Sequence, residues 1–185
     1  MVVALEAALI EQLRRQEDDA FTLIYERHKS QIYNYLYRLS GSSELADDLT
    51  HDTFLSAYES LPKLRADSTI APWLYRIASN RFRDFLRRKK VITWLRWPES
   101  PKSESCLACT GGEELLPERE SVQAALRAMK PEYSVCLVLR LAEGFSSEET
   151  ALILGITPEA VRMRLSRARQ MFKSSYTTLE AGGAA

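Results

Sequence analysis

The stretch SSEETALILGITPEAVRMRL, residues 146–165, constrains this chain more tightly than any other. Ser146 and Glu149 stand at the spacing of a capping box, in which the serine hydroxyl covers the Glu149 amide and the glutamate returns the bond. The helix that follows is short and stops at Gly155, a residue able to take the left-handed backbone of a tight turn. Thr157 caps a second helix whose first position is Pro158, where a missing amide hydrogen does no harm. Ala151, Leu154, Ile156, Val161 and Leu165 fall on the inner sides of the pair. Two helices joined in this way form a helix-turn-helix.

The second helix concentrates Arg162, Arg164, Arg167 and Arg169. Side chains near its start (Glu159, Arg162 and Met163, with Ser166 and Arg167 one turn on) are positioned to meet base edges in a major groove. Arginine pairs bidentately with guanine, and the remaining arginines suit phosphates. The plainer alternative is a helical corner with a solvated basic face.

The rest of the chain reads as helix too. Only seven glycines and seven prolines punctuate 185 residues, too few for an all-β chain. Leu5, Leu9 and Leu13 form one stripe, and Phe21, Ile24, Tyr25, Ile32, Tyr35, Leu36 and Leu39 form another that ends at Gly41. Ser42 and Ser43 offer caps to a helix from about Glu44 to Ser60, with Ala46, Leu49, Thr53, Ala57 and Leu61 inward and Pro62 closing it. Further on, Val122, Ala125, Leu126 and Met129 mark one helix, and Pro131 opens another that stops at Gly144.

Lys+Arg and Asp+Glu both number 25, which excludes a wholesale basic coat for nucleic acid. The balance is uneven along the chain. Residues 98–120 hold two basic and six acidic groups among Pro, Ser and Gly, the composition of a flexible linker. The chain is therefore expected to be all-α, with small helical lobes at 1–97 and 118–175, an acidic linker at 98–117 and a disordered tail at 176–185.

Two polar faces stand out in the first lobe. A long helix from about Ala71 to Lys90 or beyond places Arg76, Asn80, Arg83, Arg87 and Lys90 on one side, with Leu74, Ile77, Ala78, Phe82 and Phe85 on the other. With Trp73 and Tyr75 nearby, this ridge suits a nucleic-acid backbone and stacked, unpaired bases, or simply a solvated face. On the preceding helix Glu44, Asp48, Asp52 and Glu59 recur near helical spacing, with Asp47 beside them. Like charges four apart cost a few tenths of a kcal/mol each, so the pattern persists more easily where a basic partner docks. Dipole compensation would account for Glu44 to Asp48 but not for Asp52 or Glu59.

LADDLTHDTFLSAYESL, a polar loop and PWLYRIASNRFRDFLRRKK together resemble region 2 of bacterial extracytoplasmic-function sigma factors. SSEETALILGITPEAVRMRLSRAR resembles their region 4. The resemblance implies that Asp47, Asp48, Asp52 and Phe54 dock on the clamp coiled coil of the core RNA polymerase β′ subunit. It implies that Arg65, Ala66, Asp67, Ser68 and Thr69, with Trp73, Arg76, Asn80, Arg83 and Arg87, engage the minus-10 element and hold an extruded base. Thr157, Glu159, Arg162, Met163, Arg164, Ser166, Arg167 and Arg169 fall where the family reads the minus-35 element, and the second lobe would also touch the β flap. Ile70 stands where the family often has phenylalanine, which implies different loop packing. An anti-sigma factor is the further partner implied. The elements lie roughly one and a half to two duplex turns apart, at ~34 Å per turn. The linker is long enough to span them without the lobes touching.

The rival readings are a stand-alone helix-turn-helix regulator that binds its operator without polymerase, and redox or zinc sensing at Cys106-Leu107-Ala108-Cys109. A closed zinc site needs two more ligands, and His28, His51 and Cys136 share no motif with that pair. No nucleophile–base spacing or phosphate loop indicates an enzyme, and no cofactor is expected. Trp94 and Trp97 either extend the long helix or offer a surface to a partner. No apolar run approaches ~20 residues. The N-terminus lacks the features of a signal peptide, and three cysteines do not suggest a disulfide framework. A cytoplasmic location is expected.

Overall fold

The computed structural model describes residues 13, 18–65, 69–95 and 117–183. Among them seven α-helices follow one another: α1 (Asp18–Ser40), α2 (Ser43–Ser60), α3 (Ile70–Leu95), α4 (Pro117–Ala128), α5 (Pro131–Leu141), α6 (Ser147–Leu154) and α7 (Pro158–Gly183). A short 3-10 turn, Leu61–Lys63, separates α2 from the loop before α3. No strand occurs among the described residues.

The helices begin and end where local chemistry dictates. Ser42, in extended backbone, accepts the Leu45 amide and caps α2. Pro62 cannot supply an amide hydrogen, and the chain tightens there into the 3-10 turn. Gly41 closes α1 with φ of +70°, and its amide bonds the Tyr37 carbonyl. The capping box of Ser146 and Glu149 forms in full at the start of α6, and Gly155 ends that helix at φ 66° and ψ 40°.

Within the first lobe α1 packs on α2 and α3, burying Ile24, Ile32, Tyr35, Leu36, Ala46, Leu49, Ala57 and Leu74. The Tyr35 hydroxyl, fully buried, shares a hydrogen bond of 2.7 Å with the Ser79 hydroxyl. Burial raises the Tyr35 pKa well above the usual tyrosine range, so the phenol stays neutral. In the second lobe α5 and α4 pack on α7, around Val135, Cys136, Leu139, Val161 and Ala168. Val122 is exposed, while Ala125, Leu126 and Met129 fill the inner side of α4.

One further expectation, the start of the tail, is corrected. In the free protein the lobes touch: α6 packs against α3, and α4 and α5 pack against α1, so the buried apolar residues form one continuous cluster. Lobes this small leave apolar surface that neither can cover alone. The tail does not begin at 176, because α7 continues to Gly183 with Phe172 and Tyr176 stacked one turn apart at 5.8 Å. The long helix forms as expected, from Ile70 through Trp94 to Leu95; Ile70 is itself buried and seals the loop's end. Leu5, Leu9, Trp97, Cys106, Cys109 and residues 98–116 of the linker lie outside the described residues, and Pro117 already belongs to α4.

Candidate nucleic-acid interface

On α7 the predicted reading positions stand clear of the core. Arg162, Met163, Ser166, Arg167 and Arg169 are exposed, Arg164 is half-buried, and Val161, Leu165 and Ala168 anchor the opposite side. Thr157 accepts the Ala160 amide at 3.2 Å, which fixes the first turn. Glu159 and Arg162, one turn apart, form an ion pair of 2.6 Å in the free protein. A backbone hydrogen bond at the helix start, then Arg162 and Thr157, hold the Glu159 carboxyl below its usual range. Cys136 lies behind this helix, its thiol 3.8 Å from the Val161 carbonyl, and burial pushes its pKa up.

The ridge on α3 forms as expected. Arg76, Asn80 and Arg87 are exposed and Arg83 is half-buried. The Arg83 guanidinium donates to Asn80 Oδ1 at 2.5 Å and to the Ser79 carbonyl at 3.3 Å, which ties two candidate readers into one polar unit. Arg87 pairs with Asp84. Trp73 is half-buried, and its amide bonds the Thr69 carbonyl at 3.2 Å. Arg65 and Thr69 are exposed; Ala66, Asp67 and Ser68 lie outside the described residues, as does the side chain of Lys90.

On α2 the carboxylates of Glu44, Asp47, Asp48, Asp52 and Glu59 all face solvent. Phe54 does not join them. It is 3% exposed and meets Phe21 and Tyr25 edge-on, with centroids 6.4 and 4.9 Å apart, so its place is in the core beneath the acidic face. The apolar side chain that accompanies the carboxylates is Leu55, which is 51% exposed. Its sequence signal is a leucine in the polar phase of the helix, three residues after Asp52 and seven after Asp48.

The sequence gives no hint of a polar contact that joins the lobes. Glu143, just after α5, receives Arg38 Nη1 at 2.7 Å on one oxygen and the Tyr75 hydroxyl at 2.6 Å on the other. Burial first, and the Glu143 carboxylate second, raise the Tyr75 pKa above the usual tyrosine range. Among the described residues no group of three or more His, Cys, Asp and Glu side chains comes together as a metal site.

Comparison with known proteins matches these elements. The model of sigma-70 region 2 covers residues 24–91, and that of sigma-70 region 4 covers residues 119–172. The RNA polymerase sigma factor CarQ of Myxococcus xanthus is 30% identical over 92% of this chain and 97% of its own length. The ECF RNA polymerase sigma factor SigM of Mycobacterium tuberculosis is 31% identical over 81% of this chain and 74% of its own length. This chain belongs to the ECF sigma factors of the sigma-70 family. The solved structure of the sigma factor RpoE with the anti-sigma factor NepR, from Bartonella quintana, shares the fold. The TM-score is 0.66, with 22% identity over 85% of this chain and 96% of that one. As a sigma factor, the protein binds core RNA polymerase and promoter DNA and directs transcription initiation. No helix among its described residues is long and apolar enough to cross a membrane.

Proposed function

We propose a division of labour among the three faces, carried by one observation: the first turns of α7 expose Arg162, Met163, Ser166 and Arg167 behind a fully capped helix-turn-helix. This face reads the minus-35 element. Arg162 and Arg167 reach guanine edges, Glu159 can accept from a cytosine amine, and Arg169 neutralises phosphate. The ridge of Arg76, Asn80, Arg83 and Arg87, with Trp73 and the loop from Arg65 to Thr69, takes the minus-10 element and an unpaired base. Asp47, Asp48 and Asp52, with Leu55, dock on a basic surface of core polymerase, the β′ clamp coiled coil, while the second lobe meets the β flap.

The protein works as a non-catalytic, cytoplasmic subunit of two recognition lobes. A chain of zero net charge makes few counterion-releasing contacts, and its grip on DNA comes through the enzyme that carries it. RpoE of Bartonella quintana is bound by an anti-sigma factor, and the shared fold supports the same class of control here.

Transcription reconstituted from core polymerase, this protein and a genomic promoter library tests the reading. Initiation confined to a promoter subset is expected. It is lost on Asp48→Lys with Asp52→Lys through failed core binding, and on Arg162→Ala with Arg167→Ala despite intact core binding. Tight operator binding without polymerase, or wild-type initiation by both variants, overturns it.

A further inference from the structure

Both oxygens of the Glu143 carboxylate are spent on residues of the other lobe, Arg38 and Tyr75. The Glu143 side chain is only 9% exposed while Arg38 is 44% exposed, so the carboxylate is shielded and charge-assisted on its Tyr75 side and reaches the surface through Arg38. Its surroundings are built to match. Phe145, two residues on, meets the Tyr75 ring edge-on at 4.8 Å, and Tyr75 meets Tyr35 at 5.0 Å. Arg140 donates to the Phe145 carbonyl, while the Glu143 and Phe145 amides bond back to the end of α5. Carboxylate and ring are thus presented together by one short turn, and Gln123 adds a bond to the Tyr37 carbonyl at 3.5 Å.

The contact fixes how far apart the two reading faces can be. Packed helices lie ~8–10 Å axis to axis. α6, which packs on α3, is eight residues and so about 12 Å long, and α7 begins just beyond it. The start of α7 therefore lies within roughly 25 Å of the part of α3 on which α6 packs, on the short side of the about 50–70 Å between sites one and a half to two duplex turns apart.

We propose that Glu143, through Arg38 and Tyr75, is a latch that holds the free protein closed, and that engagement of core polymerase and promoter requires it to open. The proposal rests on the assignment of the two reading faces above. The latch lowers apparent affinity for core enzyme by the fraction of molecules that are open. It also gives an unliganded chain a resting state of its own, set by three residues and independent of any inhibitor.

The test uses the full-length protein with Glu143→Gln and, separately, Tyr75→Phe, which keeps both ring contacts and removes only the hydroxyl. Glu132→Gln, an exposed carboxylate outside the contact, controls for charge. Helix content by circular dichroism should match wild type. Small-angle scattering should show a compact wild type and a larger mean radius of gyration for both latch variants. Binding to core polymerase should tighten roughly tenfold in each, the effect of weakening one charge-assisted hydrogen bond. An already extended wild type, or latch variants that scatter and bind core enzyme as wild type does, overturns the latch. Absence of core binding by every form would instead remove the functional assignment, while the scattering comparison still reports on the contact itself.

Discussion

Tyr75 of α3 and Phe145, at the entry to α6, meet edge to face with ring planes 75° apart. The pair joins the two halves of the chain through an apolar contact as well as a polar one. Phe145→Ala removes a half-buried ring, and the expected cost is about 2 kcal/mol, below the ~3–5 of a fully buried phenylalanine. Urea unfolding followed by circular dichroism should show a lower midpoint and a broader transition as the lobes uncouple.

Thr150 on α6 is fully buried, and among the described residues its hydroxyl has no hydrogen-bond partner. Thr150→Val keeps the shape and removes the unsatisfied group. The variant should be more stable by about 1 kcal/mol in urea unfolding. A loss of similar size would mean the hydroxyl has a partner.

Removing the capping box should act locally. Ser146→Ala and Glu149→Ala are each expected to cost about 1 kcal/mol. Because the two bonds share one turn, the double variant should cost less than the sum, a comparison that a double-mutant cycle measures.

The acidic face predicts effects of opposite sign in one experiment. Asp48→Asn with Asp52→Asn relieves like-charge spacing along α2 and should raise thermal stability by a few tenths of a kcal/mol. The same variant should bind core polymerase more weakly, with a shallower salt dependence. Weakened binding together with weakened folding would assign these carboxylates to structure.

Base and phosphate readers should separate on α7. Arg162→Ala or Arg167→Ala should cost about 1–3 kcal/mol on the preferred promoter and relax specificity at one position. Arg169→Ala should weaken all promoters alike and reduce the salt slope by about one. Initiation on a randomised minus-35 library, read by sequencing across several salt concentrations, distinguishes the two.

The parts legible in the sequence are those set by neighbours along the chain. Ser146 with Glu149, Gly155, Thr157 with Pro158, and the alternation of Arg76 and Asn80 with Leu74 and Ala78 need only the geometry of one helix or one turn. Phe54 is harder to place, because the buried side of α2 is wide enough to take in Thr50, Thr53 and Phe54 together. Glu143 gives no warning at all. It looks like any polar residue before a glycine, and its partner Arg38 stands 105 positions away. Residues 176–183 read as a tail by composition, yet they continue a helix already nucleated by the packing of α7 on α4 and α5.

Gly41 is answerable to both halves of the protein. Its backbone disfavours a β-carbon, and a β-carbon placed there would stand 2.6 Å from Nη1 of Arg127, on α4. A residue at the end of α1 thus faces one in the opposite lobe. A side chain at position 41 would push the flexible end of Arg127 aside at modest cost, so the left-handed backbone, more than the neighbouring lobe, reserves this position for glycine.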